Sequence, residues 1–112
     1  MKDSGKRSTY DSGMVREPSE NKPRFDLIVA EGVPYDQQIL TRFAMQMSHG
    51  AEKYADRNWE VANSKQEIDR MKESAFRHFM QWFCGETDED HAAALMFNIM
   101  AVEMTKAKLP ES

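Results

Sequence analysis

A single cysteine, Cys84, occurs in the 112 residues, which rules out an internal disulfide and a zinc site built from paired thiolates. Cys84 lies between Phe83 and Gly85 without a nucleophile signature, and the chain has neither a Gly-rich phosphate loop nor a G-x-S-x-G elbow. Covalent catalysis is therefore not expected. No signal-peptide pattern is present, and no apolar run reaches the roughly 20 residues that span a bilayer, so a soluble protein of a reducing, cytoplasmic compartment is expected. A basic surface is also lacking. The net charge is −4, and the 15 Lys/Arg and 19 Asp/Glu divide unevenly: residues 1–30 hold six and five, leaving nine and fourteen for residues 31–112. An acidic body does not neutralise a nucleic-acid backbone, although it can hold a small phosphorylated substrate through cations. No segment alternates convincingly as a strand.

What is present points to one small all-α domain. Nine Met and six Phe are many for this length and suit contacts between helices or subunits. Residues 1–21, rich in Ser, Lys, Asp, Glu and Gly, bury too little to offset the entropy of ordering and read as a flexible leader. The domain occupies residues 22–108. Its first segment, Lys22 to Ile28, reads as an extended arm that docks an apolar side and presents Lys22 and Arg24, either as a basic tail or as a substrate contact. Ile39, Leu40, Phe43, Ala44, Met47, Ala51 and Tyr54 predict a helix from near Pro34 that ends by Asn58. A second is predicted from about Ser64 to Phe83, stopped by Gly85, and a third from Thr87 or Asp88 to about Lys106. The third is apolar on nearly every side, as expected of a central helix or one covered by another subunit.

Three groups of residues are candidates for chemistry. Between His49 and Trp59, Glu52 and Asp56 share a helix face while Lys53, Arg57, Asn58 and Trp59 offer charge, an amide and a flat ring; an ordinary solvated helix end with local ion pairs is the alternative. Gly50 there suggests close packing. Arg77 can bind phosphate or pair with Glu73, and His78, on the boundary between helix faces, is either a packing residue or a ligand. Lastly, Glu86, Asp88, Glu89 and Asp90 supply four carboxylates of the kind hard cations take, although Thr87 to Asp90 also matches a capping box. Asn98 is the only hydrogen-bonding side chain between Ala92 and Val102, two turns from His91 on the same face, so a polar partner is expected for it.

Lys22 to Ile28, Gly50 to Tyr54 with Asn58-Trp59, Arg77-His78, and Gly85-Glu86 through His91 to Asn98 together resemble the phage dATP/dGTP diphosphohydrolases, within the MazG-like all-α NTP pyrophosphatases. The resemblance covers about residues 16–104. It implies a small bundle of three main helices, completed by homodimer or homotetramer formation. It also implies a Mg²⁺- or Mn²⁺-dependent enzyme that converts dGTP or dATP to the monophosphate and pyrophosphate, in the host cytoplasm if phage-encoded. The E-x-x-E and E-x-x-D pairs usual in the wider superfamily are absent from the places expected for them. The available acids, Glu52, Glu86, Asp88 and Asp90, are then the expected metal ligands, with Glu86, Asp90 and His91 catalytic. Lys22, Arg24, Lys53 and Arg77 would clamp phosphates, with Asn58, Trp59, His78 and Asn98 completing the substrate site. The alternatives are a non-enzymatic helical oligomerisation or partner-binding protein, and a nucleotide-binding domain that has lost turnover.

Overall fold

The computed structural model describes residues 8–16 and 21–110, and among them three α-helices carry the fold. α1 spans Ile39–Lys53, α2 Lys65–Phe83 and α3 His91–Lys108. α3 packs against both of the others, most extensively against α2. It supplies most of the core, with Ala93, Ala94, Ala101 and Val102 joined by Ile68 and Ala62. Small alanines on α3 let neighbouring helices approach closely. None of the helices among the described residues is long and apolar enough to cross a membrane.

Local chemistry sets the helix ends. α2 starts at Ser64, whose hydroxyl accepts from the Glu67 amide at 3.2 Å while the Glu67 carboxylate accepts from the Asn63 amide at 3.0 Å, a reciprocal cap. It stops where Gly85 turns to φ +79°, so that the Gly85 amide reaches Trp82 O at 3.1 Å and the Glu86 amide reaches Gln81 O at 3.0 Å. These two bonds form a Schellman motif and satisfy carbonyls that the helix leaves open. The third helix begins later than expected, because the cap is Asp90 and not Thr87. Asp90 Oδ1 accepts from the Ala93 amide at 3.1 Å, and the same carboxylate takes a bidentate pair from Arg42 of α1, with both bonds at 2.8 Å. The start of α3 is thus tied to α1 across 48 residues of chain.

One further expectation is corrected. Residues 22–28 do not extend along the body. Arg24 and Asp26 pair side by side at 2.7–2.9 Å, the Val29 amide bonds Asp26 O, and the chain turns into a 3₁₀ helix over Phe25–Ile28. Phe25 and Leu27 stand 72% and 70% exposed, so the arm is not docked on its own chain. Within the leader, Ser8–Thr9 (β1) and Val15–Arg16 (β2) close a short antiparallel ladder; the rest of that expected flexible stretch, 1–7 and 17–20, lies outside the described residues. The approach to α1 is clasped by Gln38, which is buried. Its side chain accepts from the Ala30 amide and donates to the carbonyls of Ala30 and Val33, at 2.7–2.9 Å.

Candidate active site

A cleft of about 680 Å³ opens between the C-terminal half of α1, the 3₁₀ turn Asn58–Val61, and one face each of α2 and α3. Each helix enters by its periodicity. α2 contributes Arg70, Met71, Ser74, Arg77 and His78 at three- and four-residue steps, and α3 contributes Ala94, Phe97 and Asn98. Arg57 adopts a left-handed φ of 59° to turn the chain from α1 into Trp59.

The walls are cationic. Lys53, Arg57, Arg70 and Arg77 line them against one carboxylate, Glu67, which is already committed to the α2 cap and is held below the ordinary carboxylate range chiefly by the Ser64 hydroxyl. Arg70 and Arg57 are partly neutralised by Glu73 and Glu60. Arg77 is not paired with Glu73 and instead approaches Ser74 Oγ at 3.4 Å. Lys53 lies 5.2 Å from the Tyr54 ring centre, and Trp59 offers a second flat surface. Asn98, buried at the floor, donates to Ala94 O of its own helix at 3.0 Å, which supplies the expected polar partner locally. Gly50 marks open space along the cleft wall, where an added methyl would meet nothing within 4 Å, and not a close helix contact.

At the edge of the cleft, His78 begins a polar chain. Its Nδ1 lies 2.9 Å from His91 Nδ1, and His91 Nε2 lies 2.7 Å from Asp88 Oδ1. The bond from His91 holds the Asp88 carboxyl below its usual range, and burial lowers the pKa of His78, so His78 is uncharged at neutral pH. Two groups of metal-capable atoms result among the described residues, each with its atoms within 4.8 Å of one another: His78, Glu89 and His91, and Glu86, Asp88 and His91.

The structure therefore brings together Lys53, Asn58, Trp59, Arg77, His78 and Asn98 in the cleft, and Glu86, Asp88 and His91 beside it. Other expected site residues lie elsewhere. Glu52 belongs to neither metal-capable group and does not line the cleft, although its neighbours Ala51 and Lys53 do. Asp90 is engaged by Arg42 and the Ala93 amide and belongs to neither metal-capable group. Lys22 and Arg24 are outside the cleft, with Arg24 held by Asp26. Sequence patterning does not single out Arg42 or Gln38, whose partners lie on other segments, nor Arg70. The stripe of residues 70, 74 and 77 on α2 was the available signal for Arg70.

A family model described as dATP/dGTP diphosphohydrolase, N-terminal, matches residues 12–111. No curated protein and no solved structure matches the chain.

Proposed function

The chain belongs to the dATP/dGTP diphosphohydrolase N-terminal family, and from that premise we propose that it is a nucleotide pyrophosphohydrolase acting on purine deoxynucleoside triphosphates. The observation that carries this reading is the cationic cleft next to the His78–His91–Asp88 chain. Its volume falls within the range of about 300–1,000 Å³ typical of small-ligand sites. Lys53, Arg70 and Arg77 neutralise phosphate oxygens, Trp59 and Tyr54 offer ring faces to a base, and Asn58 and Asn98 supply amides for polar edges. In the reaction, a water oxygen bonds to the α phosphorus as the bond to the bridging oxygen breaks. Pyrophosphate leaves with the electron pair, and the deoxynucleoside monophosphate remains.

A divalent ion, Mg²⁺ or Mn²⁺, belongs to this reading, and the donors beside the cleft fit one. His78, Glu89 and His91 would hold it, and imidazole with carboxylate suits Mn²⁺ better than Mg²⁺, which favours oxygen and keeps its water. When bound, the ion neutralises triphosphate charge and makes a bound water more acidic. The chain's own cations orient the substrate so that its α–β linkage is presented at the His78 end of the cleft.

Self-association accompanies the proposal. Among the described residues, large apolar side chains stand exposed in the Phe25–Tyr35 segment and on a ridge of α2 formed by Phe76, Phe79, Trp82 and Phe83. A homodimer or homotetramer would cover such a ridge, which also favours the second reading, a non-enzymatic association module. A cytoplasmic setting goes with the enzymatic reading.

Incubation with each of the four dNTPs and four NTPs, with Mn²⁺ or Mg²⁺, separates the two. Pyrophosphate and monophosphate in equal amounts, fastest from dGTP or dATP, are expected. A folded protein that turns over none of the eight removes the enzymatic reading.

A further inference from the structure

His91 is gripped on both sides of its ring. Its side chain is 2% exposed, Nε2 is 2.7 Å from Asp88 Oδ1, and Nδ1 is 2.9 Å from Nδ1 of His78. Asp88, with a side chain 65% exposed, is a carboxylate at neutral pH and only accepts, so the hydrogen sits on Nε2 of His91. In the neutral ring, the form that can ligate, Nδ1 of His91 is then a bare lone pair facing His78. In the ion-free protein His78 satisfies it by donating from its own Nδ1.

The same arrangement meets the demands of a metal. Donors about 2.1 Å from an octahedral ion are about 3.0 Å apart when adjacent, and a tetrahedral ion sets them about 3.3 Å apart. The two Nδ1 atoms already have nearly that spacing, and Glu89 Oε1 lies 3.7 Å from the His78 nitrogen. A shift of the His78 hydrogen from Nδ1 to Nε2 frees the second lone pair without net proton release. The group formed by Glu86, Asp88 and His91 does not offer this, because its imidazole nitrogen carries a hydrogen bonded to Asp88. A carboxylate that fixes the tautomer of a ligating imidazole is the usual support of such ligands.

We propose that His78 Nδ1, His91 Nδ1 and a Glu89 carboxylate oxygen form one site for a divalent transition metal of the Mn²⁺, Co²⁺ and Zn²⁺ class at the end of the cleft, with Asp88 as positioning residue. Two imidazoles favour these ions over Mg²⁺. The site deepens the pyrophosphohydrolase reading and rests on it for the ion's use, while binding itself is measured without nucleotide.

Calorimetric titration of the full chain with MnCl₂ and CoCl₂, together with the visible absorption of bound Co²⁺, tests it. One ion per chain, not displaced by excess Mg²⁺, is expected. His78→Gln and Glu89→Gln weaken binding by about tenfold or more, and Asp88→Leu by about tenfold, whereas Asp88→Asn, which keeps an acceptor for the Nε2 hydrogen, restores most of the affinity. Glu86→Gln leaves it unchanged. Circular dichroism establishes that each variant is folded, and the absence of His91 from the set avoids opening the core. Loss of binding in Glu86→Gln with His78→Gln unaffected overturns the assignment, as does no binding by the parent chain. Binding as described without pyrophosphate release keeps the site and removes the enzymatic reading; release by a chain that does not use these residues for the ion does the reverse.

Discussion

Replacement of Asp90 separates two roles that one carboxylate performs. Asp90→Ala removes both the cap on the Ala93 amide and the partner of Arg42, whereas Asp90→Asn keeps a good capping oxygen and loses the charge. The cap contributes about 1 kcal/mol. The pair is bidentate, but its side chains are 36% and 35% exposed, so solvent screening limits it to about 1 kcal/mol as well. For a chain of this size, 1 kcal/mol corresponds to about 4 °C in Tm. Thermal unfolding followed by circular dichroism should then give a drop of about 4 °C for Asp90→Asn, a similar drop for Arg42→Ala, and about 8 °C for Asp90→Ala. A double-mutant cycle between Arg42→Ala and Asp90→Asn should return about 1 kcal/mol of coupling, shrinking in high salt. The pH dependence follows in sign. Arg42 holds the folded Asp90 carboxyl below its ordinary range, so this stabilisation is complete above the unfolded value of about 3.9 and disappears as pH falls through the lower folded value. Asp90→Asn should be correspondingly less sensitive to acid. Equal Tm values for Asp90→Asn and Asp90→Ala would refute the separate cap, and unchanged Tm with loss of Mn²⁺ binding in Asp90→Asn would return Asp90 to the metal.

Three further outcomes are expected. Gln38→Ala leaves the Ala30 amide and the Ala30 and Val33 carbonyls without their partner and should cost about 1–3 kcal/mol, with faster hydrogen exchange at Ala30 as the local sign. Thr105 is fully buried and its hydroxyl has no partner among the described residues, so Thr105→Val should raise Tm by a few degrees, read in the same melts; a fall would mean that the hydroxyl is satisfied in solution. Under the proposed activity, Lys53→Ala and Arg77→Ala should each reduce kcat/KM for dGTP by about tenfold or more, with Mn²⁺ affinity unchanged, as loss of one charged phosphate contact implies.

Helix positions were legible because they depend on neighbours in sequence. Ser64 with Glu67, and the apolar spacing through Phe83 to Gly85, carry the whole instruction for α2. The start of α3 was not legible in the same way. Thr87 and Asp90 look like a local cap, but Arg42, on another helix, selects Asp90 as the cap residue and removes it from the pool of free acids. The same limitation applied to His78. As a lone imidazole on a helix boundary it has no local meaning, and its partner, thirteen residues away, becomes visible only when α3 folds back on α2. The cleft's cations were partly readable, since Lys53, Asn58 and Trp59 cluster in sequence and Arg77 shares a stripe with Arg70. The conformation of the N-terminal arm was not, because Arg24 pairs with Asp26 where the chain curls into a 3₁₀ turn that leaves Phe25 and Leu27 exposed.

The two tryptophans fall on opposite concerns of the molecule. Trp59 lines the cleft, whereas Trp82 stands half-exposed on the aromatic ridge with its ring centre 5.9 Å from that of Phe79. The chain therefore carries two optical channels without any label: emission from Trp59 follows filling of the cleft, and emission from Trp82 follows burial of the ridge. Replacing Trp82 with phenylalanine leaves a reporter of the cleft and replacing Trp59 leaves a reporter of the ridge, so ligand titration and protein dilution are followed separately in the two variants.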